Sequence, residues 1–443
     1  MIPRFDDPNL YRDVLDELAK KWSARGRLDR LEIDGLSLGE LRMSTRRLGK
    51  LLARTVGSGE YRYSPLIAIE ARIEGKARIL YRPNLLDRVV LMVTARYLTV
   101  LAEPHLLPVV HSYRKGKSAW KAIAALGVYL QDHRRQVALR QRGLYVLRRD
   151  VQKYGENIDT RPNSELWERI ERILWSDPDA KRRSVGKRLI IDAIRQPVLG
   201  SDGLSATLSR GVPTGSPVQP PCANLYLASL DDYCSDIAGA FYSRFGDDIL
   251  FCHPDRAIAD EVSRAIDGHI AALGLNWKKE KRLDLDFNGA GRNRGTIGPF
   301  RACNRLEYLG ASIDFRGNCG MKMQKVRDFE RELRQRLRRM ASANLDLAPI
   351  ERTRLLCEAV RTLFNPTYPT ALRQAEALRH MVTDRSQLRD LDYRVALIIA
   401  ELVAGRRGPR AFRIVAYAEL RRCGLPSLAA QRDRKPGLKL EAP

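Results

Sequence analysis

The period of the apolar positions changes several times along the chain, and each change marks an element. Near the start, Leu10, Val14, Leu15 and Leu18 recur at helical spacing, and Gly26 supplies a stop. Leu66-Ile67-Ala68-Ile69 and the run from Arg72 to Pro83 are β-type stretches around Glu74-Gly75, which predicts a hairpin. Alternation along its second strand places Lys76, Arg78 and Arg82 on one face. Leu86, Val89, Val90, Val93 and Tyr97 predict a helix with a buried face from Asn84 to about Leu106. Leu144-Tyr145-Val146-Leu147 predicts an apolar strand that runs directly into Arg149-Asp150.

A charged helix with Leu166, Ile170, Ile173 and Leu174 follows, and the Gly-, Ser- and Pro-rich stretch from Gly200 to Gly215 reads as turns. A helix is expected from about Ala223 to Ile237. Phe241 to Phe245 and Ile249-Leu250-Phe251 are β-type runs on either side of Gly246-Asp247-Asp248, and Val262, Ile266 and Ile270 mark another helix. Tyr308 to Ile313 reads as one strand. From about Met321 onward the pattern is helical: Val326, Phe329, Leu333, Leu337 and Met340 form a stripe, with Arg327, Arg331, Arg334 and Arg338 beside it. Strands and helices mixed in this order indicate the α+β class, divided as 1–143, 144–318 and a helical 319–443.

Composition narrows the choice of partner. Apolar residues make up 44% of the 443 and charged residues 30%, a globular balance, and the net charge is 78 − 53 = +25. That excess points to a polyanion, either nucleic acid or an anionic membrane surface, with a plain basic surface as the alternative. Met1-Ile2-Pro3-Arg4-Phe5-Asp6-Asp7 has acids where a secretory leader has a basic then apolar run, and Glu401 interrupts the apolar stretch Val395 to Val403. Neither a leader nor a membrane span is therefore expected. Seven cysteines without a CxxC pair and six histidines without ligand spacing argue against a disulfide scaffold or a zinc site. A reduced, cytoplasmic protein with buried thiols is the expectation. His253 reads as a surface residue and Trp277 as a packing residue.

The chemistry concentrates on acids. Asp247-Asp248 lies between apolar strand residues, and at a tight turn the first carboxylate projects forward. Asp150 ends a separate predicted strand. Strand-end acids that converge suit divalent cations with oxygen ligands, and two Mg²⁺ ions (Mn²⁺ able to substitute) suit in-line phosphoryl transfer. Lys76 and Arg78 can reach one triphosphate from a shared face, and Gly211-Val212-Pro213-Thr214-Gly215-Ser216-Pro217 admits a ligand close to its backbone. Taken one at a time, an acid pair in a turn, a Gly/Pro turn and a solvated arginine stripe explain these features equally well.

Taken in order, the blocks resemble reverse transcriptases, among them the bacterial group II intron-like, retron-like and abortive-infection-like kinds, over about residues 60–315. Gly75-Lys76-Ala77-Arg78-Ile79 with Asp87-Arg88-Val89-Val90 is similar to the fingers motif, and His111-Ser112-Tyr113-Arg114-Lys115-Gly116-Lys117-Ser118-Ala119 to the next block. Asp150 with Tyr154 and Ile158 resembles the first palm motif. Gly211 through Tyr226 resembles the template-and-nucleotide-positioning motif, and Phe245-Gly246-Asp247-Asp248 the aromatic-x-Asp-Asp motif. Gly274-Leu275 with Glu280-Lys281 and Glu307-Tyr308-Leu309-Gly310 resemble the next motif and the primer grip.

The resemblance implies a right-hand polymerase fold. Its fingers fall in 1–143, its palm with an antiparallel sheet in 144–318, and its helical thumb with an all-α extension in 319–443. It implies that Asp150, Asp247 and Asp248 hold Mg²⁺ and that Lys281 donates a proton to pyrophosphate. Lys76, Arg78, Tyr154, Gly155, Thr214 and Gly215 would bind the nucleotide. Tyr308, Leu309 and Gly310, with Arg327, Arg331, Arg334 and Arg338, would bind primer and template. The chain departs from the family at Thr214, where a glutamine is usual, at Gln219, where a serine is common, and at Gly155, where many relatives carry an aromatic that blocks a ribose 2′-hydroxyl. The implied activity is RNA-directed DNA synthesis from dNTPs; making RNA, untemplated or protein-primed extension, or a non-catalytic RNA-binding scaffold are the alternatives. Leu391 to Arg394 and Gly405 to Arg413 resemble extensions of defence-associated members. They imply a non-coding RNA template, a DNA product, and a second polymerase subunit or a homo-oligomer, without a membrane.

Overall fold

The computed structural model describes every residue except 25, 33, 74–75, 137–142, 201–202, 289–295, 298, 369 and 435–443. The chain is mixed α+β, as expected, and its described residues from Met323 on are helices and their connections. It divides into two compact units. The first comprises Met1–Lys117, Leu147–Phe251 and Arg256–Leu283, and the second Ser118–Val146, Cys252–Asp255 and Asp284–Pro443.

In the first unit, Asp7 caps the helix Pro8–Ser23 by accepting from the Asn9 amide, and Tyr11, Val14, Leu15 and Leu18 are buried along it. This helix packs on Thr45–Ser58 and on Leu85–Ala102. The last is capped by Asn84 and gives Leu85, Val89, Val90, Val93 and Tyr97 to the core; Leu86, expected there, is only partly buried. It stops at Ala102, just short of Pro104, because proline lacks the N–H that continues a helix. β1 (Leu66–Ile73) and β2 (Lys76–Arg82) pair antiparallel, with Ala71 opposite Arg78. The connecting Glu74-Gly75 of the expected hairpin lies outside the described residues, as does the side chain of Lys76.

β3 (Leu144–Asp150) ends at the expected acid. β4 (Val198–Leu199) pairs parallel with β1 and antiparallel with β5 (Ser205–Ala206), so part of the stretch expected as turns extends the first sheet. β6 (Phe241–Phe245) and β7 (Asp248–His253) flank Gly246-Asp247, and β7 lies between β6 and β3. The helix expected over 223–237 is two helices, Gln219–Tyr226 and Ala228–Ser235. Pro220-Pro221 sit in its first turn and move the start back to Gln219, and Leu227 leaves helical geometry at φ −102°, ψ 10°.

In the second unit, β8 (Leu283–Phe287) pairs parallel with β10 (Phe300–Cys303), which pairs antiparallel with β9 (Thr296–Ile297). The expected strand 308–313 is instead a hairpin of β11 (Arg305–Tyr308) and β12 (Ala311–Asp314), continued by β13 (Cys319–Met321). Leu309 and Gly310 form its turn at φ 46° and 81°, a region that β-strands exclude. The helix Met323–Ser342 buries Val326, Phe329, Leu333 and Leu337. His253, expected at the surface, is 5% exposed because β7 runs on to it, and its Nδ1 accepts from the Asp255 amide at 2.9 Å.

Candidate active site

Three acids from two neighbouring strands meet in the first unit. Gly246 turns the chain between β6 and β7 with φ 66°, which costs glycine no Cβ clash. Its amide donates to the Ser112 hydroxyl at 2.8 Å, and the Val151 amide donates to the Asp247 carbonyl at 3.2 Å. The turn is thereby fastened to the residue that follows Asp150. On the other side, Lys278 N donates to the Asp150 carbonyl at 2.8 Å and Gln152 N to the Asn276 carbonyl at 2.7 Å, so residues 276–278 lie alongside 150–152. Trp277, a packing residue as expected, donates Nε1 to Asp267 at 2.8 Å.

Each acid faces a cation. Asp150 is 3% exposed, and its two carboxylate oxygens accept from the ammonium groups of Lys278 and Lys281. The Lys278 Nζ also lies 3.5 Å from Asp247 Oδ2, so one ammonium bridges two carboxylates. Burial opposes the charge on that lysine most strongly, but the hydrogen bonds and charges of Asp150 and Asp247 together outweigh it and its pKa is raised. Asp248 accepts from Arg148 at 3.2 Å through Oδ2, while its Oδ1 is buried with no partner among the described residues. Burial, followed by the charge of Asp150, pushes the Asp247 carboxyl above its ordinary range. Burial also raises Asp248, against the pull of Arg148.

The raised Asp247 has a consequence for stability. A carboxyl with a raised folded pKa contributes stability at low pH and loses it as pH rises through that value. Asp247→Asn removes the strained charge and leaves Asp150 paired with Lys278. The variant is expected to melt a few degrees above the wild type at neutral pH, with the gap closing in acid, as read by thermal denaturation at the two pH values.

The residues expected to bind nucleotide are stitched to these acids through backbone hydrogen bonds. Gly211 N donates to the Ile158 carbonyl at 2.8 Å and Val212 N to the Gly155 carbonyl at 3.0 Å, just beyond β3. A Cβ on Gly211, at φ 87°, would sit 2.6 Å from the Glu156 carbonyl oxygen, so only glycine allows this approach. At the other end of the loop, Tyr81 N donates to the Thr214 carbonyl at 2.8 Å, and Gly215 lies against Tyr81. The loop therefore joins β2, which carries exposed Arg78, to the segment after Asp150. Tyr154 is buried: its hydroxyl donates to the Ala223 carbonyl at 2.5 Å and its ring stacks on Tyr226. The Gln219 amide fills the space over Gly155, where a Cβ would lie 2.0 Å from its nitrogen.

In the second unit, Tyr308 is buried, Leu309 and Gly310 form the β11–β12 turn, and the Lys325 side chain covers Gly310. Arg327, Arg331, Arg334 and Arg338 are exposed on the helix Met323–Ser342 and line a groove of about 910 Å³. Arg331 pairs with Asp328 and Arg334 with Glu401.

Sequence reasoning missed three contributors: Lys278, Arg148, and the buried pair of Ser112 and Asn224 behind the turn. Asn224 accepts from the Ser112 hydroxyl at 3.0 Å and donates to its carbonyl at 2.9 Å. The chemistry of the acids fits a hard divalent cation, because Asp150 and Asp247 already converge on one positive charge and Asp248 keeps an unused buried oxygen. Among the described residues no group of three or more His, Cys, Asp or Glu is placed to hold a metal ion; in this arrangement Lys278, Lys281 and Arg148 pair with the carboxylates. No helix among them is long and apolar enough to cross a membrane.

No protein-family model matches the chain, and no curated protein sequence does. Solved structures similar to it include telomerase from Candida albicans in complex with a fragment of telomeric RNA, at 10% identity and TM-score 0.47 over 85% of this chain and 66% of that one. Apo telomerase from Candida tropicalis is similar at 11% identity and TM-score 0.46, over 93% and 86% of the two chains. The RNA-dependent RNA polymerase of a human picobirnavirus is similar at 14% identity and TM-score 0.39, over 57% and 43%. This chain thus spans just under two thirds of the Candida albicans telomerase chain and less than half of the viral polymerase.

Proposed function

We propose that the chain is a nucleic-acid polymerase that copies RNA into DNA by nucleotidyl transfer. The observation that carries this reading is the convergence of Asp150 and Asp247, from two strand ends, on a single cationic position. Asp150, Asp247 and Asp248 would hold two Mg²⁺ ions, which when bound activate a 3′-hydroxyl and steady the leaving pyrophosphate. Lys278, which bridges the two acids, marks with its ammonium the position such an ion would take. Lys281 carries its proton on Nζ and gives it to the pyrophosphate oxygen as the bond to the α-phosphorus breaks. Arg78 and the Thr214–Gly215 loop orient the triphosphate, and Arg327, Arg331, Arg334 and Arg338 track the phosphates of the duplex. The finer setting, antiviral defence with a non-coding RNA template, rests on the resemblance of the C-terminal segment.

A second reading, synthesis of RNA, has one specific observation in its favour. Tyr154 is committed to Ala223 and Tyr226, so no aromatic ring from this segment stands at Gly155. Incubation with dNTPs or NTPs separately, with and without the co-purified RNA, separates the two. RNA-dependent incorporation of dNTPs is expected, with NTPs accepted at a rate within about tenfold, since a small side chain excludes a hydroxyl by little. Exclusive use of NTPs would select the second reading, and no incorporation of either would end both.

A further inference from the structure

We propose that Tyr113 is a base-stacking residue that seats an unpaired nucleobase of an RNA strand beside the Asp150–Asp247 centre, an inference that rests on the polymerase reading above. Tyr113 has φ 57°, a left-handed conformation that an aromatic residue seldom adopts. Backbone of this kind persists only where the surroundings over-determine it, and such positions gather at functional sites.

The surroundings here do so from both sides. Before it, His111 N donates to the Arg244 carbonyl at 2.9 Å, and fully buried Ser112 is held by Asn224. After it, the Arg114 guanidinium grips Glu103 at 2.8 Å and the Val110 carbonyl at 3.1 Å, and Lys117 Nζ donates to the Pro108 carbonyl at 2.8 Å. Tyr113 itself is 62% exposed. The Ser112 hydroxyl that anchors its neighbour also accepts from Gly246 N at 2.8 Å, so the backbone that carries Tyr113 is fastened directly to the Asp247 turn. Although the residue as a whole is exposed, partial burial of its phenol, followed by the charge of Asp247, raises the Tyr113 hydroxyl above its ordinary range. Lys115, two residues on, is exposed.

A residue this exposed gains little from burial, so fold stability is a weak reason for holding the backbone this way. A rigid aromatic face next to a cation is what binds single-stranded nucleic acid: the ring stacks on the base and the ammonium meets the phosphate. Arg114, tied up by Glu103 and carbonyls, is left as a structural brace. The ligand class is an unpaired base at the reacting end of the strand, with stacking as the contact and no preference for base identity.

The test is fluorescence anisotropy of the full chain with a short labelled single-stranded RNA, intact or with one abasic residue near its end. Tyr113→Phe is expected to bind within about twofold of wild type, and Tyr113→Ala to bind about five- to a hundredfold more weakly. Tyr113→Gly should bind as weakly as the alanine variant while melting no lower than wild type, since glycine accepts the left-handed backbone. The abasic RNA should cost wild type affinity and cost Tyr113→Ala none. Unchanged affinity in Tyr113→Ala, or an abasic penalty equal in both proteins, overturns the inference. If wild type still incorporates nucleotides in either case, the polymerase reading stands without it. A wild type that neither binds RNA nor incorporates nucleotides overturns both.

Discussion

Replacing Asp247 and Asp248 together by alanine is expected to reduce nucleotide incorporation by at least about three orders of magnitude, because the metals that these acids would hold supply most of the chemistry. RNA binding should survive nearly intact, since under the proposed function phosphate contacts would come from Arg78, the arginine groove and the remaining basic surface rather than from the acids. The alanine pair leaves Arg148, 8% exposed, without its carboxylate partner. The same measurement on Asp247→Asn with Asp248→Asn keeps the side-chain volume and a hydrogen-bond acceptor for Arg148. Loss of activity in a well-folded asparagine pair assigns the effect to charge. Undiminished synthesis in either variant removes the catalytic role of the turn.

The second large effect lies behind the site. Arg244 is fully buried and donates to both oxygens of Asp231, at 2.7 and 2.6 Å, to the Asn224 carbonyl at 3.0 Å and to the Gly246 carbonyl at 3.2 Å. Burial is the strongest single influence and lowers its pKa, but the charge and hydrogen bonds of Asp231, with the neighbouring phenols of Tyr242 and Tyr154, together raise it. Tyr242 donates its hydroxyl to the same aspartate at 2.8 Å. Asp231→Ala would strand a guanidinium and a phenol in the interior, so a loss of about 3–5 kcal/mol is expected. That is a large share of the ~5–15 kcal/mol that folded proteins commonly have, and denaturant midpoints should show it clearly. Asp231→Leu combined with Arg244→Met should recover most of the loss, since it buries no unpaired charge. A cost for Asp231→Ala below about 1 kcal/mol would mean that the pair is screened like a surface bridge.

The residues of the site differ in how legible they are in the sequence. The turn at Gly246-Asp247 and the end of β3 at Asp150 are local features: apolar runs on a strand period stop at a glycine or an acid, and the backbone follows. The arginine stripe of Met323–Ser342 is legible for the same reason, because helical spacing alone puts its members on one side. Lys278 is different. In Lys278-Lys279-Glu280-Lys281 the resemblance singles out Lys281 alone; Lys278 looks like solvated surface, and only the pairing of 276–278 with 150–152 brings it to Asp150. Ser112 and Asn224 lie 112 positions apart, and Arg148 and Asp248 100, so no local pattern joins them.

The misread elements have equally particular causes. Tyr308 to Ile313 has the composition of one strand, yet Leu309 and Gly310 take positive φ and fold it into a hairpin. His253 follows an apolar strand and was expected outside it, but β7 continues through that position into the interior. Tyr154 has the right place in the motif for a nucleotide contact, while its side chain is spent on Ala223 and Tyr226. In each case a tertiary contact decided among conformations that local sequence left open.

The central claim is that the three-aspartate centre joins nucleotides to a strand under the direction of RNA. The most direct measurement is extension of a labelled primer annealed to a defined RNA, with Mg²⁺ and dNTPs, by the wild type and by Asp150→Asn side by side. A DNA product whose sequence complements the RNA is expected from the wild type and not from Asp150→Asn. Equal product from both proteins, or a wild-type product whose sequence ignores the RNA, would contradict it.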